Sequence, residues 1–301
     1  MKDNTTIGER EVSIFRKMKK LVYYLRLAPG VFWLVVFLVL PLSAMFIYSF
    51  WTMVNFELIP TWTLQNYLDV FVRAEGLYLK LLFKSLGMAT AVTLGAIALA
   101  YPAAYYISTR GGKYKYVLLN LIMTPYLVSW VITIFGWRMV IGYSGLVNTL
   151  LMSVGLISEP MKMWGNWMTV IFVLIVSWTG WLVLPIFVSL EKIDRTLLEA
   201  GEDLGASPSE NFRKITLPLS MPGLLIATFF VLIPTFGEFV APILAGGTTG
   251  AMIGTAIESA FKRMHDWPFG SAMAFLLVII ALITSLVLIR KAGLRTLMES
   301  L

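Results

Sequence analysis

Residues 163–190, MWGNWMTVIFVLIVSWTGWLVLPIFVSL, carry no charged side chain. A helix that crosses the hydrocarbon of a bilayer needs roughly 20 consecutive, mainly apolar residues, so this stretch alone points to a membrane protein. Working outward, charge-free stretches of the same character recur at 27–56, 85–109, 116–137, 215–237 and 267–289. The stretch 139–158 is equally free of charge but holds Gly142, Tyr143, Ser144, Gly145, Asn148, Thr149, Ser153 and Gly155. Unsatisfied polar groups are costly in hydrocarbon, so it is predicted as an outer loop with a short interfacial helix around 146–152. The expected fold is all-α and polytopic, with six transmembrane helices. The fifth span is the least regular, with Pro218 and Pro222 at its start and Pro234, Gly237 and Glu238 further on. It is predicted to run over about 222–244, broken or kinked near Pro234.

The composition agrees. The 301 residues are 58% apolar and 14% charged, with a mean hydropathy of +0.80; a soluble domain carries about 45–50% and about 25%. Those departures exclude a single soluble domain, a disordered chain and a secreted scaffold. Without cysteine there is no disulfide, thiolate nucleophile or thiolate metal site. One histidine, His265, cannot build a clustered imidazole site, so no metal and no catalytic residue is expected. The net charge of +7 is scattered between apolar runs rather than gathered on one face, which reads as topology and not as a nucleic-acid footprint.

Six spans put both termini on one side. That side holds Lys2, Arg10, Arg16, Lys17, Lys19, Lys20 and Arg26, then Arg110, Lys113 and Lys115, then Lys192, Arg195, Arg213 and Lys214, and finally Arg290, Lys291 and Arg295. The other side has only Arg73, Lys80, Lys84, Arg138, Lys162, Lys262 and Arg263. By the positive-inside rule both termini are cytoplasmic. The organisation is a basic cytoplasmic segment (1–26), a six-span domain (27–290) and a cytoplasmic tail (291–301). The first apolar run is too long for a signal-peptide core and is expected to be retained. The basic residues before it orient that helix; contact with anionic membrane lipid is the other reading.

Signatures of chemistry are missing. There is no G-x-x-x-x-G-K-[ST] phosphate loop, no G-x-S-x-G elbow and no H-E-x-x-H. Energy for uphill transport would have to come from a partner or an ion gradient.

The loop 191–221 between spans four and five is more than a connection. Asp194 is placed to cap a helix through Leu204, and Gly205 to stop it. Ser207, Pro208 and Glu210 supply an N-cap, a first-turn proline and a capping-box glutamate for a second helix through Ile215. Leu197, Gly201 and Leu204 are predicted on one face, made shallow by Ala200 and Gly201, with Glu199, Glu202 and Asp203 around the rim. An ordinary solvated hairpin is the alternative.

Glu199-Ala200-Gly201, then Gly205, then Ile215, Leu217 and Pro218 resemble the E-A-A, G, I-x-L-P signature of ABC importer permeases in kind and spacing. The departure is Gly201 where the family has alanine. The resemblance implies that Leu197, Glu199, Ala200, Gly201, Asp203, Leu204 and Gly205 form a coupling helix that docks on an ATP-hydrolysing subunit. The likeness covers nearly the whole chain and is strongest to the spermidine/putrescine-type branch. Gln65-Asn66-Tyr67, Tyr101-Pro102-Ala103-Ala104-Tyr105, Pro125-Tyr126 with Ser129 and Trp137, and Gly145-Leu146-Val147-Asn148 all resemble stretches of it. So do Gly237-Glu238-Phe239-Val240-Ala241-Pro242, Gly246-Gly247 and Asp266-Trp267-Pro268-Phe269-Gly270. Thr133 stands where the branch often has arginine, which bears on the substrate and not on the architecture.

What the resemblance implies is an inner-membrane permease for polyamines or a related cationic organic amine, working by alternating access. Its partners would be ATP-hydrolysing subunits, a second, non-identical permease and an external binding protein. No cofactor is implied in this chain; ATP and Mg would sit on the ATPase subunit. An opine, another amino compound or a phosphonate are alternative cargoes. A self-sufficient secondary transporter would show an internal repeat and carboxylates inside several spans, and neither is visible. A membrane scaffold would not require the 199–218 motif.

Tyr126, Trp137, Phe236 and Glu238 are the candidate pathway residues, because aromatic faces can hold an ammonium group; packing explains the aromatics nearly as well. For Glu238, the lone acid within a predicted span, two roles stand: facing a cation in the pathway, or capping a broken helix or pairing with a partner chain. Gly87, Ala91 and Gly95 are predicted as a close helix-packing stripe. Trp33, Trp51, Trp164, Trp167 and Trp267 read as interfacial anchors.

Overall fold

The computed structural model describes residues 26–292. The basic segment 1–25 and the tail 293–301 lie outside the described residues. The helices are α1 (Arg26–Tyr48), α2 (Gln65–Arg110), α3 (Lys115–Met123), α4 (Trp130–Ile141), α5 (Leu146–Ser153) and α6 (Trp167–Glu191). They continue as α7 (Arg195–Asp203), α8 (Pro208–Asn211), α9 (Leu217–Phe236), α10 (Val240–Ala245), α11 (Ile253–Lys262) and α12 (Trp267–Ala292). Between α1 and α2 a two-stranded antiparallel hairpin, β1 (Thr52–Val54) and β2 (Glu57–Ile59), sets Thr52 opposite Ile59; the sequence reading did not include it.

Among the described residues, 6 helical stretches are long and apolar enough to cross a membrane. Five overlap the expected spans. By length and apolarity the remaining one is Trp130–Ser153, whereas 116–137 was expected. Packing resolves the difference. Lys115 pairs with Glu191, the Tyr116 ring lies 6.2 Å from Phe187, and Tyr126 covers Gly180. Trp130 lies 5.7 Å from Trp178 and Trp137 4.9 Å from Phe172. Each step up the chain on one side is a step down on the other, so α3 and α4 form one span antiparallel to α6. It is broken by a 3-10 turn, Thr124–Leu127, where Pro125 removes a helical N–H. After α4, extended backbone at Gly142 and Gly145 ends the rod. The buried Asn148 amide then donates to the carbonyls of Gly142, Tyr143 and Met161. The loop with a short helix is therefore present, at α5.

The second span begins earlier than the charge-free stretch at 85 suggested. α2 leaves helical geometry at Arg73–Gly76, with φ of +55°, +56° and +73° at Ala74, Glu75 and Gly76, and beyond that turn runs on through Lys80 and Lys84.

α2, α6 and α9 make the centre of the bundle. Ala89, Ala96, Ala100 and Ala104 of α2 are fully buried, and Ala96, Ala100 and Ala104 pack with Val170, Val173 and Leu174 of α6 in one core. This alanine row, and not Gly87–Ala91–Gly95, is the close contact. Gly87 and Ala91 are exposed; only Gly95 packs, where a Cβ would lie 2.5 Å from Ile175 Cδ1. Gly223 lets α9 cross α6: a Cβ there would lie 2.5 Å from Ser189 Cβ and 2.6 Å from the Pro185 carbonyl. The Tyr101 and Ser220 hydroxyls are 2.8 Å apart at the same level.

Two prolines are carried inside helices by the same device. Val35–Val39 precedes Leu40-Pro41 and Phe212–Thr216 precedes Leu217-Pro218; both are π-helical turns, closed by Leu40 N–H to Val35 and Leu217 N–H to Phe212. Proline crowds the carbonyl four residues back, and the wider turn relieves it. As a result 208–236 is one continuous helix. The expected stop at Ile215 and the expected start of span five near Pro222 are both corrected on this point. α1 buries none of its apolar window and meets α12 near its end, with Phe46 5.2 Å from Phe275.

Candidate functional site

The loop 191–217 forms the hairpin its sequence implied. Asp194 accepts from the Thr196 N–H at 3.0 Å, which holds its carboxyl below the usual aspartate range. Leu204 ends α7 and Gly205 follows with φ +82°, a left-handed position suited to glycine. Ser207 and Glu210 complete a capping box around Pro208. At the root of the hairpin Glu191 joins three spans: it accepts from Ser108 at the end of α2 at 3.2 Å and pairs with Lys115 at the start of α3.

The faces of α7 differ from the expected arrangement. Leu198 and Gly201 turn inward onto α8, and Gly201 is not on the free face. A Cβ at 201 would lie 2.2 Å from Asn211 Oδ1 and 3.1 Å from Ile215 Cδ1. Asn211, 6% exposed, donates its amide to the Leu198 carbonyl at 3.0 Å. The outward face is instead Leu197, Ala200 and Leu204, spaced three and four residues apart as one helix face requires. Leu197 is 47% and Leu204 89% exposed, with exposed Glu199, Glu202 and Asp203 close by. The free face of α7 is thus an apolar strip rimmed by acids on a capped and anchored helix. A cavity of about 610 Å³ lies between the other side of α7 and the ends of α2 and α6, lined by Tyr105, Ser108, Lys115, Glu191, Arg195 and Glu202.

The second place of interest is the break in the fifth span. α9 ends at Gly237, and the Glu238 carboxylate accepts from the N–H groups of Val240 at 2.7 Å and Ala241 at 3.2 Å. Glu238 thus caps α10, the second of the two roles left open for it. Gly254 lies close on the carbonyls of Gly237 and Glu238. A Cβ at 254 would come 2.4 and 2.5 Å from the two oxygens. The following loop is pinned from α2: Lys84 donates to the carbonyls of Thr249 and Ala251, and Ser85 Oγ accepts from the Ile253 N–H at 2.7 Å.

The four pathway candidates do not converge. Tyr126 and Trp137 are half-buried on the broken third span, against Gly180 and Phe172. Phe236 is 2% exposed in a separate core with Val70, Leu82, Phe269 and Met273. Glu238 is half-buried at the break. Sequence reasoning missed Asn211, Lys84 and Gly254; the one available signal was the glycine at 201 where alanine was expected. Among the described residues no three His, Cys, Asp or Glu side chains gather as a metal site would need.

Membrane-length helices around an alanine-lined core, with a capped hairpin at one end, are the architecture of a polytopic membrane protein. Residues 94–294 match the family of binding-protein-dependent transport system inner membrane components, and the chain belongs to that family, transport permeases and not enzymes. It is 34% identical to the spermidine/putrescine transport system permease protein PotB of Haemophilus influenzae, over 83% of this chain and 87% of that protein. It is likewise 34% identical to the Escherichia coli PotB, over 82% and 90%. In fold it resembles a chain of a bacterial alginate ABC transporter solved with an alginate-bound periplasmic protein: TM-score 0.75, 18% identity, 94% of this chain and 98% of that one. A chain of the MetNI methionine ABC transporter gives a TM-score of 0.55 at 17% identity, over 71% and 94%.

Proposed function

We propose that this chain is a permease subunit of an ABC importer that carries spermidine, putrescine or a related cationic organic amine into the cytoplasm. The observation that carries the substrate class is the likeness to the PotB permeases over more than four-fifths of both chains. The mechanism is alternating access with no chemistry on the cargo. An external binding protein delivers the amine to the face that holds the β-hairpin, the 73–76 turn and α5. ATP hydrolysis on partner subunits moves the 191–217 hairpin, and a second permease, similar but not identical, completes the pathway. ATP and Mg belong to the ATPase subunits. The chain crosses the inner membrane with both termini cytoplasmic, which the basic residues at the hairpin end support: Arg110, Lys113, Lys115, Lys192, Arg195, Arg213 and Lys214.

Uptake of labelled spermidine and putrescine by cells expressing the assembled transporter tests the cargo. Accumulation should require this chain and be suppressed by excess unlabelled polyamine. Accumulation equal to that of cells lacking the chain would refute the assignment. Orientation has its own measurement, helped by the lack of native cysteine. Single cysteines at Gly112 and Glu202 should react only from the cytoplasm, and those at Glu75 and Lys262 only from outside. Outside labelling at position 202 would overturn the topology and the hairpin's role together.

A further inference from the structure

We infer that Asn211 is the positioning residue that fixes the docking helix α7 to the fifth span, and that Gly201 is a glycine in order to admit its side-chain amide. The inference rests on the reading of α7 as the helix that docks on the ATPase subunit.

Asn211 sits at the junction of two pieces. On one side is α7, whose free face is Leu197, Ala200 and Leu204. On the other is the continuous helix Pro208–Phe236, roughly 40 Å long at about 1.5 Å per residue, which ends at the Gly237 break. The covalent link between them is Leu204–Ser207, with a left-handed glycine in it, so the turn alone leaves the angle between the helices free to change. The Asn211 amide closes that freedom. Its Nδ2 donates across the hairpin to the Leu198 carbonyl at 3.0 Å, and this acceptor fixes which way the amide faces. Its Oδ1 then points at Gly201, where it is buried and accepts no hydrogen bond among the described residues. An alanine Cβ at 201 would lie 2.2 Å from that oxygen, well inside contact distance. Asparagine at 211 and alanine at 201 are therefore mutually exclusive in this arrangement. The departure from E-A-A to Glu199-Ala200-Gly201 and the asparagine ten residues later are two halves of one joint. A displacement imposed on α7 is passed to the cytoplasmic end of the fifth span as a rigid movement instead of being lost in the turn.

The test uses the full transporter in liposomes, reading substrate moved per ATP hydrolysed and the amount of ATPase that copurifies. Asn211→Ala removes the amide; Asn211→Asp keeps its shape but cannot donate to Leu198. Both should lower transport per ATP by about fivefold or more, the size of an ordinary coupling free energy, with the ATPase still bound. Gly201→Ala should do the same, and Gly201→Ala with Asn211→Ala should be no worse than Asn211→Ala alone, because contacting residues are not additive. Full transport per ATP in both Asn211 variants would overturn the inference. So would strictly additive losses in the double variant, or loss of bound ATPase with normal transport per ATP in the complexes that remain. Ala200→Glu, on the free face, separates the underlying reading. If it leaves the ATPase bound, the docking assignment fails and the joint fails with it. If it releases the ATPase while the Asn211 variants stay fully coupled, the joint alone fails.

Discussion

The hairpin at 191–217 and the break at 237–254 both place a glycine between helices and use a carboxylate cap, Asp194 on α7 and Glu238 on α10, yet they are built in opposite senses. The helices of the hairpin are capped and joined by near neighbours in sequence, Asp194 on Thr196, Ser207 with Glu210 and Asn211 on Leu198, while its root is tied to α2 and α3 through Glu191. It leaves an apolar face uncovered. The break is held from far away, by Gly254 lying on its carbonyls and by Lys84 and Ser85 of α2 gripping the loop beyond. Outward of that root α7 can be disturbed without unmaking the bundle, whereas the break, packed against backbone that cannot swing aside, cannot. Movement imposed at the hairpin is thus separable from the integrity of the bundle, and the break is not.

The sharpest way to break that contrast is Gly254→Val. Any Cβ at 254 runs into two backbone oxygens, which cannot swing aside as a side chain would. Overpacking of this kind costs about 1–3 kcal/mol or more. Membrane yield and thermal stability of the purified transporter should drop strongly. A normal melting profile would mean that the break is looser than its geometry. At the hairpin the corresponding insult should behave differently. Ala200→Glu or Gly205→Arg should leave the protein inserted and stable but cut ATP-driven uptake severely, with less ATPase retained on purification. Full uptake with normal retention would remove the hairpin from the coupling scheme. The smallest effect sharpens the comparison at Glu238. Glu238→Gln keeps an acceptor for Val240 and Ala241, so stability should hold, while Glu238→Ala should lose about 0.5–2 kcal/mol, as capping residues do. If Gln also halves uptake of a cationic substrate while basal ATP hydrolysis survives, the charge matters beyond the cap. If Gln transports normally, the cap is its whole role.

The same contrast explains what the sequence could disclose. The number of spans, the caps at Asp194 and Ser207 and the stop at Gly205 depend on residues within a few positions of one another, and all are legible there. The inward turn of Gly201 depends on Asn211, ten residues on and across a turn, so helical periodicity alone put Gly201 on the free face beside Ala200. Gly254 appears in the sequence as an ordinary glycine near a helix start; its partners at 237 and 238 are close only after folding. The third span was located correctly, but its break at 124–129 was not, since a Thr-Pro pair can be absorbed by a helix, as Leu40-Pro41 and Leu217-Pro218 are.

The π turn at Phe212–Thr216 has a consequence for helical phase. Along the lever, Asn211, Thr216, Ser220, Gly223, Ala227, Val231 and Thr235 are all buried. Every interval in that series is three or four residues except the first, which is five. The extra residue in the turn resets the clock of the helix by about 100° of rotation, the angle an α-helical residue occupies at 3.6 per turn. Without it, the side of the helix that carries Asn211 would come round to a different side of the membrane-spanning part. The turn that accommodates a proline therefore also sets the bearing between the hairpin below and the face that α9 presents to the bundle above.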